Sequence, residues 1–209
     1  MTRRFADLAF TPNVCAQQVR HGSRSQYARM QATGGEPDRL GPDETEFLED
    51  ADSFYLATVS ETGWPYVQHR GGPKGFLTVL SPQRIAFADY RGNLQYVSAG
   101  NAVGNDRAAL IVMDYVHRSR LKLLGHLHFE DVNEADAELV RKVSPSGYSA
   151  KVERIAIIDV AAFDWNCPQH ITQRYSRQQV EVMIDSLRAQ IASLEQKLEE
   201  ARGQGSAAG

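Results

Sequence analysis

Short apolar and alternating runs, divided by glycine, proline and acidic turns, occupy the middle of the chain, and one long helical stripe follows them. Phe54-Tyr55-Leu56-Ala57-Thr58-Val59 leads through Glu61-Thr62-Gly63-Trp64-Pro65 to Tyr66–Arg70, the pattern of a β-hairpin. Phe76 to Leu80, Ser81-Pro82-Gln83 and Arg84 to Ala88 repeat it, and Ala108 to Tyr115, Arg120 to Val132 and Val152 to Val160 add further strands. Along Arg120 to Phe129 the alternation is clean: Leu121, Leu123, Leu127 and Phe129 share one face, and Arg120, Lys122, His126 and His128 share the other. Connections this short make neighbouring strands antiparallel, because a parallel return needs a crossover of about a dozen residues or more. About six strands with few helices between them predict a closed or half-closed barrel.

Helical spacing surrounds this β region. Pro12 to about Met30 reads as helix, its spacing interrupted at Gly22 and Ser23, followed by a loop rich in Gly34, Gly35, Pro37, Gly41 and Pro42; Pro42-Asp43-Glu44-Thr45-Glu46 then opens a short helix with an acidic first turn. Two helices interrupt the strands, from Leu94 to Val103 and from Glu134 to Val143, the second with Asn133 as its expected cap. In the last segment Val180, Ile184, Leu187, Ile191, Leu194 and Leu198 recur in alternating steps of four and three. That is the seam of a heptad helix, which serves either a two-stranded coiled coil or packing against the chain's own barrel. The expected divisions are an N-terminal helical segment (1–46), a barrel (47–172), an amphipathic helix (173–202) and a disordered tail (203–209).

Composition narrows the function. A chain of 209 residues supports one domain with a real core plus appended helix. Its formal charge of -3 offers no basic excess for a nucleic acid. No apolar run approaches the roughly 20 residues of a membrane helix, and Arg3, Arg4 and Asp7 interrupt the first ten residues where an export signal would be apolar. A cytoplasmic protein is expected. Cys15 and Cys167 have neither scaffold density nor CxxC spacing, and both read as free thiols. His126 and His128 share a strand face without the further ligands a metal needs, so no metal site is expected. No GxSxG elbow supports acyl transfer.

Two stretches carry candidate chemistry. In Gln68-His69-Arg70-Gly71-Gly72-Pro73-Lys74-Gly75-Phe76, Arg70 and Lys74 supply charge beside glycines whose backbone admits an anion closely; a glycine-rich turn with solvated cations fits the same residues. In Asp89-Tyr90-Arg91-Gly92-Asn93-Leu94-Gln95-Tyr96-Val97-Ser98-Ala99-Gly100-Asn101, a strand gives way to a helix. There the first N–H groups and the Ser98 hydroxyl suit a phosphate, while Asn93, Gln95 and Asn101 suit the amide-like edges of a heteroaromatic ring. Ordinary capping of the helix by Asn93 is the plainer alternative.

Taken in order, Phe54 to Val59, Gly63 to Gly72, Gly92-Asn93, Gln95 to Ser98, Gly100-Asn101 and Leu121-Lys122-Leu123-Leu124-Gly125 resemble the pyridoxamine 5′-phosphate oxidase-related FMN-binding family, over roughly residues 47 to 172. The resemblance implies a mainly β protein with flanking helices, an antiparallel split β-barrel binding flavin mononucleotide (FMN) at a homodimer interface. It sets the isoalloxazine ring against the strand that holds Gln68 to Gly71, and assigns His69, Arg70 and Gly71 to the ring and Lys74, Gln95 and Ser98 to the phosphate side; Gln68 joins the candidate cofactor set. Asp89, Tyr90, Asn93, Asn101 and Trp165 complete the candidate cofactor set. The segment from Trp165 to Arg174 resembles the family's C-terminal crossing element, which closes over the partner's flavin; Trp165 serves equally as a core anchor.

Two departures shape the expectation. Leu94 stands where members of this subgroup commonly carry a basic residue, removing a phosphate partner. The chain also lacks the basic C-terminal strand motif of true pyridoxamine phosphate oxidases, which disfavours vitamin B6 oxidation. The function implied is an FMN-dependent oxidoreductase acting on a small molecule, with a nicotinamide reductant and no side chain named as catalytic. The rivals are a flavin-binding or sequestering protein without turnover, and the same barrel holding a deazaflavin or haem.

Overall fold

The structure is a computed structural model that describes residues 2–29, 31, 36–165 and 169–206. The described residues form seven helices, α1 (Arg3–Ala9), α2 (Pro12–Arg20), α3 (Arg24–Ala28), α4 (Pro42–Glu49), α5 (Val97–Gly104), α6 (Ala137–Val143) and α7 (Arg177–Ser206). The seven strands are β1 (Ser53–Val59), β2 (Pro65–Gly71), β3 (Leu77–Ser81), β4 (Arg84–Tyr90), β5 (Arg107–Asp114), β6 (Ser119–Asp131) and β7 (Val152–Trp165). They make one antiparallel sheet in the order β2-β1-β5-β6-β7-β4-β3. Among the described residues, β2 and β3 are its two edges.

The core curls this sheet. Phe54 of β1 stacks on Phe76 with ring centroids 5.8 Å apart and meets Phe87 of β4 edge-on at 5.1 Å. In the ladder, β1 and β4 are separated by three intervening strands, so their side chains meet only if the sheet bends round a common interior. Leu56, Leu110, Val112, Leu121, Leu123, Leu127, Ile158 and Val160 fill that interior and are buried. Side-chain alternation on β1 and β6 accounts for it, each strand sending every second residue inward. The result is a split barrel with helices around it, as the strand pattern and the resemblance imply.

Several elements differ from the sequence expectation. The helical segment expected from Pro12 divides at the interruption expected at Gly22 and Ser23: α2 ends at Arg20, Gly22 takes φ 75° and the chain restarts at Arg24; Met30 lies outside the described residues. α1 was not anticipated. Thr2 caps it by accepting from Phe5 N, and donates to Asp38 and to the Phe163 carbonyl at 2.9 Å, while Phe5 and Ala6 are buried. α6 starts later than expected, on Asp136, whose Oδ1 accepts from Glu138 N and Leu139 N. β7 runs on to Trp165 because Ala162 to Trp165 continue the ladder with Leu121 to Leu124 beyond a bulge.

Contacts within the chain divide it into two units, Met1–Asp114 with Ser119–Gln169, and Tyr115–Arg118 with His170–Gly209. In the second, the Arg174 guanidinium lies 3.9 Å from the centroid of the Tyr115 ring and Arg174 N donates to Tyr115 O. α7 is helical four residues past the expected boundary at 202, and residues 207–209 lie outside the described ones. No described helix is long and apolar enough to cross a membrane.

Candidate functional site

The site forms where edge strand β2 comes over the end of β4. Alternation along β2 half-buries Tyr66, Gln68 and Arg70 on one side and exposes Val67 and His69 on the other. Arg70 therefore reaches inward across the split, and its Nη1 donates to Asp89 Oδ1 at 2.5 Å. Asp89 sits opposite Arg154 in the β4–β7 ladder, and its other oxygen accepts from Arg154 Nε at 3.0 Å and Nη2 at 2.5 Å. The next pair is Tyr90 with Val152, so Glu153 is the extra residue of a bulge at this point.

Two guanidinium groups thus share one carboxylate that is 2% exposed, and the trio carries one net positive charge. Arg154 is held further by rings, with its guanidinium carbon 4.6 Å from the Tyr96 centroid and 5.2 Å from that of Phe129. Two polar atoms of the pocket are buried with no partner, Arg70 Nε and the Tyr90 hydroxyl. Buried donors left unpaired are costly. Burial, and secondarily Tyr148, pushes the Tyr90 phenol up, so it stays protonated and able to donate.

The Gly92–Tyr96 loop and the start of α5 close the pocket. Leu94 and Tyr96 both hold left-handed backbone, φ 62° and 54°, an uncommon conformation for residues with a Cβ. Asn93 does not cap α5: its Oδ1 accepts from Gln95 N, while the cap position belongs to Tyr96, which makes no side-chain cap bond. The N-cap residue of α5 therefore leaves the first N–H groups without a capping side chain, and Val97, Ser98 and Ala99 line the same pocket as Arg70 and Arg154. Buried Ser98 donates to Gln68 Oε1 at 3.2 Å, and buried Asn101 Nδ2 donates to Thr58 Oγ1 at 3.0 Å, which seats α5 on β1.

The pocket brings together Gln68, Arg70, Asp89, Tyr90, Asn93, Gln95 and Ser98 from the expected set, adding Tyr66, Leu94, Tyr96, Glu153 and Arg154. The remaining expected residues lie elsewhere. His69 stands on the outer face of β2 against Tyr55, their rings 5.7 Å apart. Lys74 is directed outward beside Gly75, φ 82°, and pairs with Asp50 at 2.5 Å, both side chains about two-thirds exposed. A Cβ on Gly71 would meet the His69 ring at 3.0 Å and Asp52 O at 3.3 Å, and one on Gly72 would meet Phe76 at 2.7 Å, so these glycines answer to packing. Asn101 holds α5 in place. Trp165 is a core-edge anchor, donating to Glu44 Oε1 at 2.6 Å and packing edge-on against Phe47; Asn166 to Pro168, including Cys167, lie outside the described residues. Cys15 is a free thiol.

Of the residues the pocket adds, Arg154 carries the ion cluster. Its local signal is a charge ahead of the run Ile155 to Ile158, and its partner lies 65 positions away. His126 pairs with Asp106 at 3.0 Å and His128 lies 3.6 Å from Glu130; among the described residues no three potential ligands gather as a metal would need.

Comparison with known proteins adds a family. The family model described as pyridoxamine 5′-phosphate oxidase matches residues 41–164, more than half of the chain. Solved structures with a similar fold include HupZ from Group A Streptococcus (13% identity, 65% of this chain and 99% of that one, TM-score 0.47). A protein from Clostridium acetobutylicum related to general stress protein 26 of B. subtilis, of the pyridoxinephosphate oxidase family, shares 11% over 62% of this chain and 88% of its own, TM-score 0.43. An FMN-binding protein from Syntrophomonas wolfei shares 12% over 71% and 97%, TM-score 0.40. No curated protein matches significantly.

Proposed function

The chain belongs to the pyridoxamine 5′-phosphate oxidase family, and from that premise we propose that it is a cytoplasmic, homodimeric FMN-dependent oxidoreductase acting on a small molecule. The observation that carries the reading is the pair of arginines on buried Asp89, which line one pocket with the uncapped start of α5. Helix N–H groups and guanidinium donors are what a phosphate monoester needs.

In this reading Arg70, Arg154 and the first N–H groups of α5 take the phosphate, Asp89 aims the two arginines, and Ser98, whose hydroxyl donates to Gln68, holds that amide beside them. Their charge stands in for the basic residue that Leu94 replaces. β2 is an edge strand, so a row of its backbone N–H and C=O groups is open to the donors and acceptors of the ring, with Gln68 beside it. Tyr55 and Val67, 40% and 60% exposed on the outer face with His69, support a second copy there. When bound, the flavin supplies the hydride and electron chemistry. The chain's own groups bind and orient it, and the buried Tyr90 hydroxyl keeps its proton at the pocket wall.

The test is a titration of the purified protein with FMN and with riboflavin, followed by anaerobic NADPH. Retained FMN, riboflavin bound at least about 30-fold more weakly for want of charge-assisted phosphate bonds, and bleaching by NADPH support the proposal. Equal affinities place the phosphate outside this pocket. Bound FMN that neither NADPH nor NADH reduces leaves a flavin-sequestering protein.

A further inference from the structure

The barrel site makes no use of the long C-terminal helix. α7 spans 30 residues, about 45 Å at 1.5 Å per residue. Its start is built in: Ser176 Oγ accepts from Gln179 N at 3.2 Å, and Gln179 Oε1 accepts from Ser176 N at 2.9 Å, a reciprocal capping box. From there the helix carries a continuous apolar stripe. Val180, Ile184, Leu187, Ile191, Leu194 and Leu198 are 39%, 40%, 57%, 54%, 63% and 52% exposed. A helix with such a stripe gains little from standing alone, because helical stability comes chiefly from packing its apolar face.

We infer that α7 pairs with α7 of a second copy of this chain as a parallel, in-register two-stranded coiled coil. The spacing places Ile184, Ile191 and Leu198 at a positions and Val180, Leu187 and Leu194 at d. In the two central heptads the set is β-branched Ile at a with Leu at d, the combination that favours parallel dimers over trimers and tetramers. Charge points the same way. The antiparallel register that overlaps all six seam residues sets Glu181 against Glu195 and Arg188 against Arg188. The parallel register sets the Met183 side chain beside Arg188 and Gln190 beside Glu195, with no like pair over that stretch. Within each helix, Arg177 pairs with Glu181 at 2.7 Å and Arg188 with Asp185 at 3.2 Å, both outside the seam. The seam is distinct from the outer face of β1 and β2 and does not depend on flavin binding.

The experiment uses the full chain with Cys15→Ser and Cys167→Ser, so that a single new thiol reports. Leu187→Cys at d faces its own copy only in the parallel, in-register pair, whereas Ala189→Cys lies on the opposite side of the helix. Under a glutathione redox buffer, Leu187→Cys is expected to form a disulfide-linked dimer on non-reducing gels while Ala189→Cys stays unlinked. Adding Ile191→Lys and Leu194→Lys is expected to abolish the link and to weaken dimerisation at least tenfold by sedimentation. Absence of the Leu187→Cys link, equal linking of both thiols, or a link that survives the two lysines overturns the inference. Flavin retention, measured on the same variants, reports separately on the barrel.

Discussion

Asp89 and Arg154 face each other directly across the β4–β7 ladder, and the Arg154 guanidinium closes on the Asp89 carboxylate through Nε at 3.0 Å and Nη2 at 2.5 Å. Arg70 takes the other oxygen. A carboxylate 2% exposed tolerates burial only because both oxygens are answered. The pocket is therefore a structural ion cluster and, on the proposed function, a binding surface as well, and its variants should report on both.

Replacing Arg154 by Met removes two of the three hydrogen bonds on Asp89 and leaves a buried carboxylate with one partner. Loss of about 2–3 kcal/mol of stability is expected, below the roughly 3–5 kcal/mol of a fully broken buried pair because Arg70 remains. Urea denaturation checks it, through a lowered midpoint at unchanged slope, and the same variant should retain FMN at least about tenfold more weakly. An unchanged midpoint would show that Arg70 alone satisfies the carboxylate.

Lys74→Ala should do little. The Lys74–Asp50 pair is exposed on both sides, and such pairs contribute about 0–1 kcal/mol. Stability and FMN affinity are both expected to stay within about 0.5 kcal/mol of the parent. A larger loss of affinity by fluorescence titration would mean that Lys74 leaves Asp50 and swings to the flavin.

Tyr90→Phe tests the orphaned hydroxyl. Because that hydroxyl is buried without a partner, its removal should change stability at neutral pH by less than about 1 kcal/mol. The pH dependence has a definite sign. Burial raises the phenol pKa above its ordinary 10.0, so the folded protein keeps the proton that the unfolded chain releases. Stability from this group is complete below the ordinary 10.0 and falls as pH rises from there through the folded value. The phenylalanine variant has no proton to lose at this position, so its urea midpoints should decline less than those of the parent above that pH. Parallel declines would remove Tyr90 from the alkaline transition.

Gly125→Ala probes the bulge between β6 and β7. A Cβ there would come within 2.5 Å of the Asp159 carbonyl oxygen and 2.8 Å of Ile158 Cγ2. The first of these is backbone in a paired strand and cannot move aside cheaply, so about 2–3 kcal/mol of destabilisation is expected. Thermal denaturation of the two proteins decides it; an unshifted midpoint would show that the bulge relaxes.

Most of the barrel was legible because a strand with one buried face writes itself as alternation. Leu121, Leu123 and Leu127 show it in β6, and the structure buries all three. Local punctuation was less reliable. α1 depends on Thr2 reaching Asp38 and Phe163, contacts with no trace in local sequence.

By itself the sequence determined the strand pattern, the antiparallel order of neighbours, the heptad stripe, and the run of Gln68, Arg70, Asn93, Gln95 and Ser98 that marks one site. Those are properties of residues close in the chain, where periodicity and turn chemistry act. Tertiary structure alone decided which charges meet. Arg154 joins Asp89 because the β4–β7 register places them opposite, with a one-residue bulge at Glu153 beside them. Lys74, four positions from Arg70, is turned away at Gly75 towards Asp50. A charge pair across a ladder depends on register and curvature set by the whole core, and a slip of one residue would point Arg154 to the other face of the sheet.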